Sequence, residues 1–165
     1  LISVVFLTAL QFIIDAVIAF SLSLISERHF SIDKRIYFVK DSERRLYKHL
    51  KVRQWKDKIW ELGGLGGFSK KRLADQKNPE YIEKYITECN RGVAIHSISV
   101  FAGYLSLFTV SGPCITTVAL PVATVNAILN ILPIIALRYN TPALHAQLTR
   151  LKRRQNNNTQ VENNA

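Results

Sequence analysis

Apolar and charged positions are sharply segregated along this chain. Residues 1–25 hold one acid, Asp15, and no base, and Val93–Leu137 holds no Asp, Glu, Lys or Arg at all. An uncharged apolar run of about 18 residues or more reads as a membrane-spanning helix, because about 20 helical residues cross the hydrocarbon layer. The pattern predicts spans at 2–25, 93–110 and 115–137. Ser111-Gly112-Pro113 separates the last two, so they form an antiparallel hairpin closed by a tight turn. Pro121 and Pro133 fall within the third span, where neighbouring helices can satisfy the carbonyls that proline leaves unpaired. The first stretch lacks a basic leader and an Ala-x-Ala site, so a retained span is expected. The predicted class is an all-α membrane protein with about three transmembrane helices.

Between the first two spans, residues 27–91 form a polar segment. There Leu46, Leu50, Trp55, Ile59 and Trp60 interrupt Arg44, Arg45, Lys48, Lys51, Arg53, Lys56 and Lys58. Such alternation suits amphipathic helices in the headgroup layer, with the two tryptophans at the interface. Leu62–Gly67 is glycine-rich and reads as a loop. Asn78-Pro79-Glu80 is a helix start, with Asn78 as cap and Pro79 in the first position, and that helix feeds the second span. The expected organisation is one membrane domain over residues 1–154, followed by a polar tail at 155–165 with no fixed structure.

Charge then orients the chain. The net charge is +10, and all 22 Lys and Arg lie either between Glu27 and Arg91 or after Leu137. The positive-inside rule puts both basic regions in the cytoplasm and the N-terminus outside, in a multi-pass protein of the cell membrane. Anionic lipid headgroups are the expected partner of these bases. No nucleic-acid motif accompanies them, so nucleic acid is not expected. Cys89 and Cys114 then sit at opposite faces, which rules against a disulfide between them. The four histidines show no zinc-type clustering, and neither a metal nor a bound cofactor is expected.

Candidate chemistry lies at the inner boundary. Glu88 and Arg91 precede the second span, His96 lies one turn inside it, Asn130 is near the end of the third, and Arg138, Tyr139 and Asn140 follow. The hairpin brings these to one depth. His96 has the residue type of a general base, since imidazole titrates near neutrality. Arg91, Arg138 and Asn130 are donors able to hold an oxyanion. Glu88 and Arg91, three apart, pair on a helix surface, whereas Glu88 and His96 are separated by about 12 Å along a helix and form no dyad. A boundary histidine equally serves as a hydrogen-bonded structural group, and the residue types leave both readings open. The same holds for Asp15, which shares a helix face with Gln11. Leu62–Gly67 lacks the spacing of a phosphate loop, Lys70–Arg72 is a solvated charge run, and Ser69 has no triad partner in sight.

Several of these stretches carry a resemblance. Val52-Arg53-Gln54-Trp55-Lys56-Asp57-Lys58, Gly66-Gly67-Phe68-Ser69-Lys70-Lys71, Glu88-Cys89-Asn90-Arg91 with His96, and Asn130-x-x-Pro133 with Arg138-Tyr139-Asn140-x-Pro142 follow one another in order. Together they resemble the glycosyl-4,4'-diaponeurosporenoate acyltransferases over roughly Phe30 to Arg154. The resemblance implies a membrane enzyme of carotenoid biosynthesis that esterifies a sugar hydroxyl of a glycosylated C30 carotenoid acid, with an activated fatty acyl donor as co-substrate. It makes Glu88 and His96 catalytic candidates, and Arg91, Asn130, Arg138, Tyr139, Trp55 and Lys56 substrate-binding candidates. In the family pattern a second acid often stands between the Arg and the His, where this chain has Val93, and an aromatic residue follows the His, where this chain has Ser97. Asp15 is the only intramembrane carboxylate that could take that acid's place. Rival readings are an acyltransferase acting on another glycolipid or polar lipid, and a small non-catalytic subunit packing through Gly103 and its neighbours. A third is an ion- or lipid-handling protein, which with three spans would require a homo-oligomer.

Overall fold

The computed structural model describes residues 2–59 and 75–163, with side chains up to residue 160. Trp60, Leu62–Gly67, Ser69 and Lys70–Arg72 lie outside the described residues. The described chain is helical, without a strand. Helix α1 covers Ile2–Ser23, α2 Asp41–His49, α3 Val52–Trp55, α4 Pro79–Ala102 and α5 Leu120–Asn163, with short 3-10 turns at Glu27–Phe30, Arg35–Tyr37 and Lys56–Lys58. Three helical rods are long and apolar enough to cross a membrane: Ile2–Ser23, Pro79–Thr109 and Ile115–Gln160.

Helix α4 starts where the sequence places its cap. The Asn78 side chain accepts from the backbone N–H of Glu80 at 2.9 Å and of Tyr81 at 3.4 Å, satisfying two orphan donors, and Pro79 loses no bond in the first turn. The helix runs through Arg91 into the apolar stretch without a break, then tightens into a 3-10 segment over Gly103–Thr109. Gly112 closes the hairpin with φ +61°, a left-handed conformation that a side chain would strain. A π-helical turn at Ile115–Ala119 leads into α5. Helices α4 and α5 pack along much of their length, and α1 lies against both.

Two features go beyond the expected pattern. The helix of the third span does not stop near Leu137 but continues through Pro133 and Pro142 to Asn163. The described part of the 155–165 tail therefore extends α5, with residues 155–160 fully in solvent-exposed positions. The charged residues beyond Leu137 mark a change of surroundings and do not interrupt the backbone ladder. Second, the main apolar core sits at this charged end. Ile82, Tyr85, Ile86, Cys89 and Val93 of α4 interlock with Leu137, Leu144 and Leu148 of α5. Outward-facing Phe6, Phe12, Phe20, Phe101, Phe108 and Leu129 coat the uncharged part of the rods, as expected of helices whose solvent is hydrocarbon.

Candidate active site

Helix α1 has two well-buried residues, Leu7 and Gln11. They lie on one stripe, and Asp15 follows one turn further along it. Gln11 Nε2 donates to the Gly103 carbonyl at 2.7 Å and to Ser106 Oγ at 2.9 Å, clamping α1 onto the end of α4. A Cβ on Gly103 would stand 2.8 Å from Gln11 Oε1 and 2.9 Å from Asn126 Nδ2, closer than side-chain carbons approach other atoms. A side chain here would force the ends of Gln11 and Asn126 to shift.

One turn along, the three helices meet again. His96 Nδ1 of α4 lies 2.8 Å from Asn130 Oδ1 of α5. The Asn130 amide nitrogen donates to Asp15 Oδ2 of α1 at 3.2 Å and to its own helix at the Asn126 carbonyl, 3.1 Å away. Asn130 is buried, while Asp15 and His96 are half-buried. The helices thus place a carboxylate, an amide and an imidazole in one chain within the uncharged stretch. Several atoms here have no hydrogen-bond partner among the described residues although they are shielded from solvent: Gln11 Oε1, Asp15 Oδ1, Ser99 Oγ and Asn126 Nδ2. Each such orphan costs about 1–3 kcal/mol. Packing alone gives no reason to keep them in the interior.

The remaining sequence candidates divide into further groups. Glu88 accepts from Arg91 Nη1 at 2.6 Å, and the Arg91 guanidinium lies 5.1 Å from the centre of the Phe30 ring. Asn90 beside them donates to the Phe30 carbonyl at 2.9 Å, fixing the connection from α1. Arg138 is held through Nε and Nη2 by Glu43 of α2, the second contact at 2.9 Å, and Nη2 also donates to the Phe38 carbonyl at 3.2 Å. Tyr47 donates its hydroxyl to Glu43, and its ring meets the edge of Tyr139 at 6.3 Å. The Arg138 guanidinium draws the Glu43 carboxyl below its ordinary value, against the opposing effect of burial. Burial, reinforced by the Glu43 carboxylate, pushes the Tyr47 phenol up. Trp55 Nε1 donates to the Leu50 carbonyl at 3.0 Å, and Lys56 pairs with Asp57 at 2.8 Å. His96 and Asn130 therefore share one site, Glu88 and Arg91 form a second group, and Arg138 and Tyr139 join α2 in a third. Glu43, Tyr47 and Asn126 carry this geometry without having stood out in the sequence. Among the described residues no group of His, Cys, Asp and Glu is arranged to hold a metal ion.

Residues 23–150 match the family model of the glycosyl-4,4'-diaponeurosporenoate acyltransferases. The chain belongs to this acyltransferase family. The match covers most of the chain and takes in His96, Asn130, Glu88, Arg91 and Arg138, the residues that carried the resemblance in the sequence. The family is one of acyltransferases in carotenoid biosynthesis, and the three apolar rods among the described residues are compatible with a membrane protein. Gln11 and Asp15 precede the matched stretch. No curated protein and no solved structure matches the chain.

Proposed function

We propose that this acyltransferase esterifies a sugar hydroxyl of a glycosylated C30 carotenoid acid, and that His96 is its general base. The observation that carries the assignment of His96 is its imidazole, held at 2.8 Å by the buried Asn130 inside Val93–Leu137, a stretch whose other titratable side chains are Tyr104 and Cys114. His96 takes the proton from the sugar hydroxyl as its oxygen attacks the acyl carbonyl of a thioester donor. The tetrahedral intermediate collapses, the carbon–sulfur bond breaks, and the imidazolium returns the proton to the departing thiolate. A polyene acceptor is itself a lipid, so a base within the spans meets it from the side.

The donor arrives from the basic face. Arg91 and Arg138 are engaged by Glu88 and Glu43, so on this reading they brace the elements around the entrance. Exposed Arg44, Arg45, Lys48 and Arg53 attract the donor's phosphates and the anionic headgroups. The orientation is N-terminus outside, with residues 27–91 and the end of α5 in the cytoplasm, supported by the placement of all 22 bases.

The test is lipid mass spectrometry on cells with wild-type protein, with H96A and with none. Wild type yields the acylated glycoside, while H96A inserts normally and accumulates the free glycoside, with turnover down at least a hundredfold, the usual weight of a general base. A different acylated lipid lost from the H96A strain would move the acceptor to another polar lipid. Full activity in H96A would refute the role of the imidazole.

A further inference from the structure

We infer that Asp15 is a positioning residue for His96, acting through Asn130 to select which imidazole nitrogen carries the proton. The inference rests on the assignment of His96 as base, and it adds a role for α1, which lies outside the family match.

The argument follows from what each atom can donate or accept. The Asn130 amide nitrogen faces three acceptors, the Asp15 carboxylate at 3.2 Å, the Asn126 carbonyl at 3.1 Å and Asn126 Oδ1 at 3.4 Å. Turning the amide over would set its oxygen against all three oxygens, so the orientation is dictated by its neighbours. The Asn130 oxygen then points at His96 Nδ1, 2.8 Å away. An oxygen can only accept, so Nδ1 carries the hydrogen and Nε2 holds the lone pair. The carboxylate polarises the amide, which in turn steadies the imidazolium that forms when Nε2 takes up a proton. An Asp–His pair in a hydrolytic triad does this work directly. Here an asparagine spans the gap, because the acid arrives on a different helix.

Two further observations fit this arrangement. Asp15 is the only acid in residues 1–25, and an acid at this depth is costly to hold. The Gln11 clamp one turn away sets the position of α1, so that Asp15 reaches Asn130. The carboxylate of this site thus comes from α1.

The experiment uses full-length protein in lipid nanodiscs, with histidine labelled with nitrogen-15 and His96 assigned by comparison with H96Q. Wild type is expected to show neutral His96 as the Nδ1–H form. D15L removes the one charged acceptor, leaves the Asn130 amide held only by Asn126, and shifts the His96 population toward the Nε2–H form. Turnover on the glycoside then falls roughly a hundredfold in kcat, with KM changed by no more than about threefold. D15N keeps an acceptor oxygen and the side-chain volume, and it retains the Nδ1–H form with a smaller loss. If the His96 spectrum and kcat are both unchanged in D15L, the inference is overturned. A loss confined to KM also overturns it. The spectrum requires no substrate. A wild-type protein inactive on the glycoside, yet showing the expected tautomer and its shift in D15L, would therefore count against the proposed acceptor and leave the positioning role standing.

Discussion

A methyl group at Gly103 would press on the Gln11 clamp that holds α1. The Gln11 amide bonds the Gly103 carbonyl at 2.7 Å, and an added Cβ would intrude on both Gln11 and Asn126. G103A should therefore push the ends of Gln11 and Asn126 aside and weaken the clamp that sets Asp15 against Asn130. A misplacement of about 1 Å costs about a hundredfold in rate, so a smaller loss is expected here. The expected outcome is a loss of turnover without loss of insertion, checked by assay of the membrane fraction beside a blot for the inserted chain. The residues of the site were individually legible, since His96, Asn130 and Asp15 each interrupt an apolar run. Their mutual contacts were not. His96 and Asn130 are 34 positions apart and Asn130 and Asp15 are 115 apart. Whether such pairs meet depends on how each helix is rotated, for which the local sequence holds no signal. The hairpin turn gave His96 and Asn130 a common depth, and the spacing of four between Gln11 and Asp15 gave a face without its partner.

Elements that look alike in sequence behave differently here. Helix α2 is a short, highly charged piece latched onto α5 by Glu43, Tyr47 and Arg138. The Glu43 carboxyl titrates below its ordinary value of 4.5, chiefly through its hydrogen bond to Arg138. A depressed carboxylate contributes stability above its ordinary value, and that contribution is lost as pH falls through the lowered one. Protection of the α2 amides, corrected for their intrinsic exchange rates, should be high at neutral pH and fall as the pH drops through the lowered Glu43 value, whereas E43Q should show low protection throughout and no such step. Sequence reading missed this latch because Glu43 stands beside Arg44 and Arg45, which look like its natural partners. The orientation of α2 sends it to Arg138 instead. The start of α4 was readable from Asn78-Pro79, since a cap is a local signal. The far end of α5 was not, because the return of charge after Leu137 reports where the surroundings change, while the helix itself runs on to Asn163.

At the scale of the whole molecule, the fold class follows from the distribution of charge, and the orientation is open to a direct test. Cys114 is exposed beside the Gly112 turn, and Cys89 is buried between α4 and α5. With the N-terminus outside, a membrane-impermeant maleimide should label Cys114 on intact cells and leave Cys89 untouched, with C114S as the blank. Labelling that required broken cells would invert the orientation. Length adds a consequence of its own. The 44 residues of α5 extend for about 66 Å, roughly twice the thickness of the hydrocarbon layer. One end of the α4–α5 pair is joined by apolar contacts among Ile82, Ile86, Leu137, Leu144 and Leu148, while the other is joined to α1 by the bonds of Gln11, Asp15, His96 and Asn130. Each end is joined by the force that its surroundings make strong, since oil does not drive oily groups together and water weakens exposed polar bonds. The same bundle is thus assembled by two opposite chemistries. A detergent that mimics the bilayer poorly should loosen the end held by Gln11, Asp15, His96 and Asn130 first, leaving the apolar end of the bundle folded.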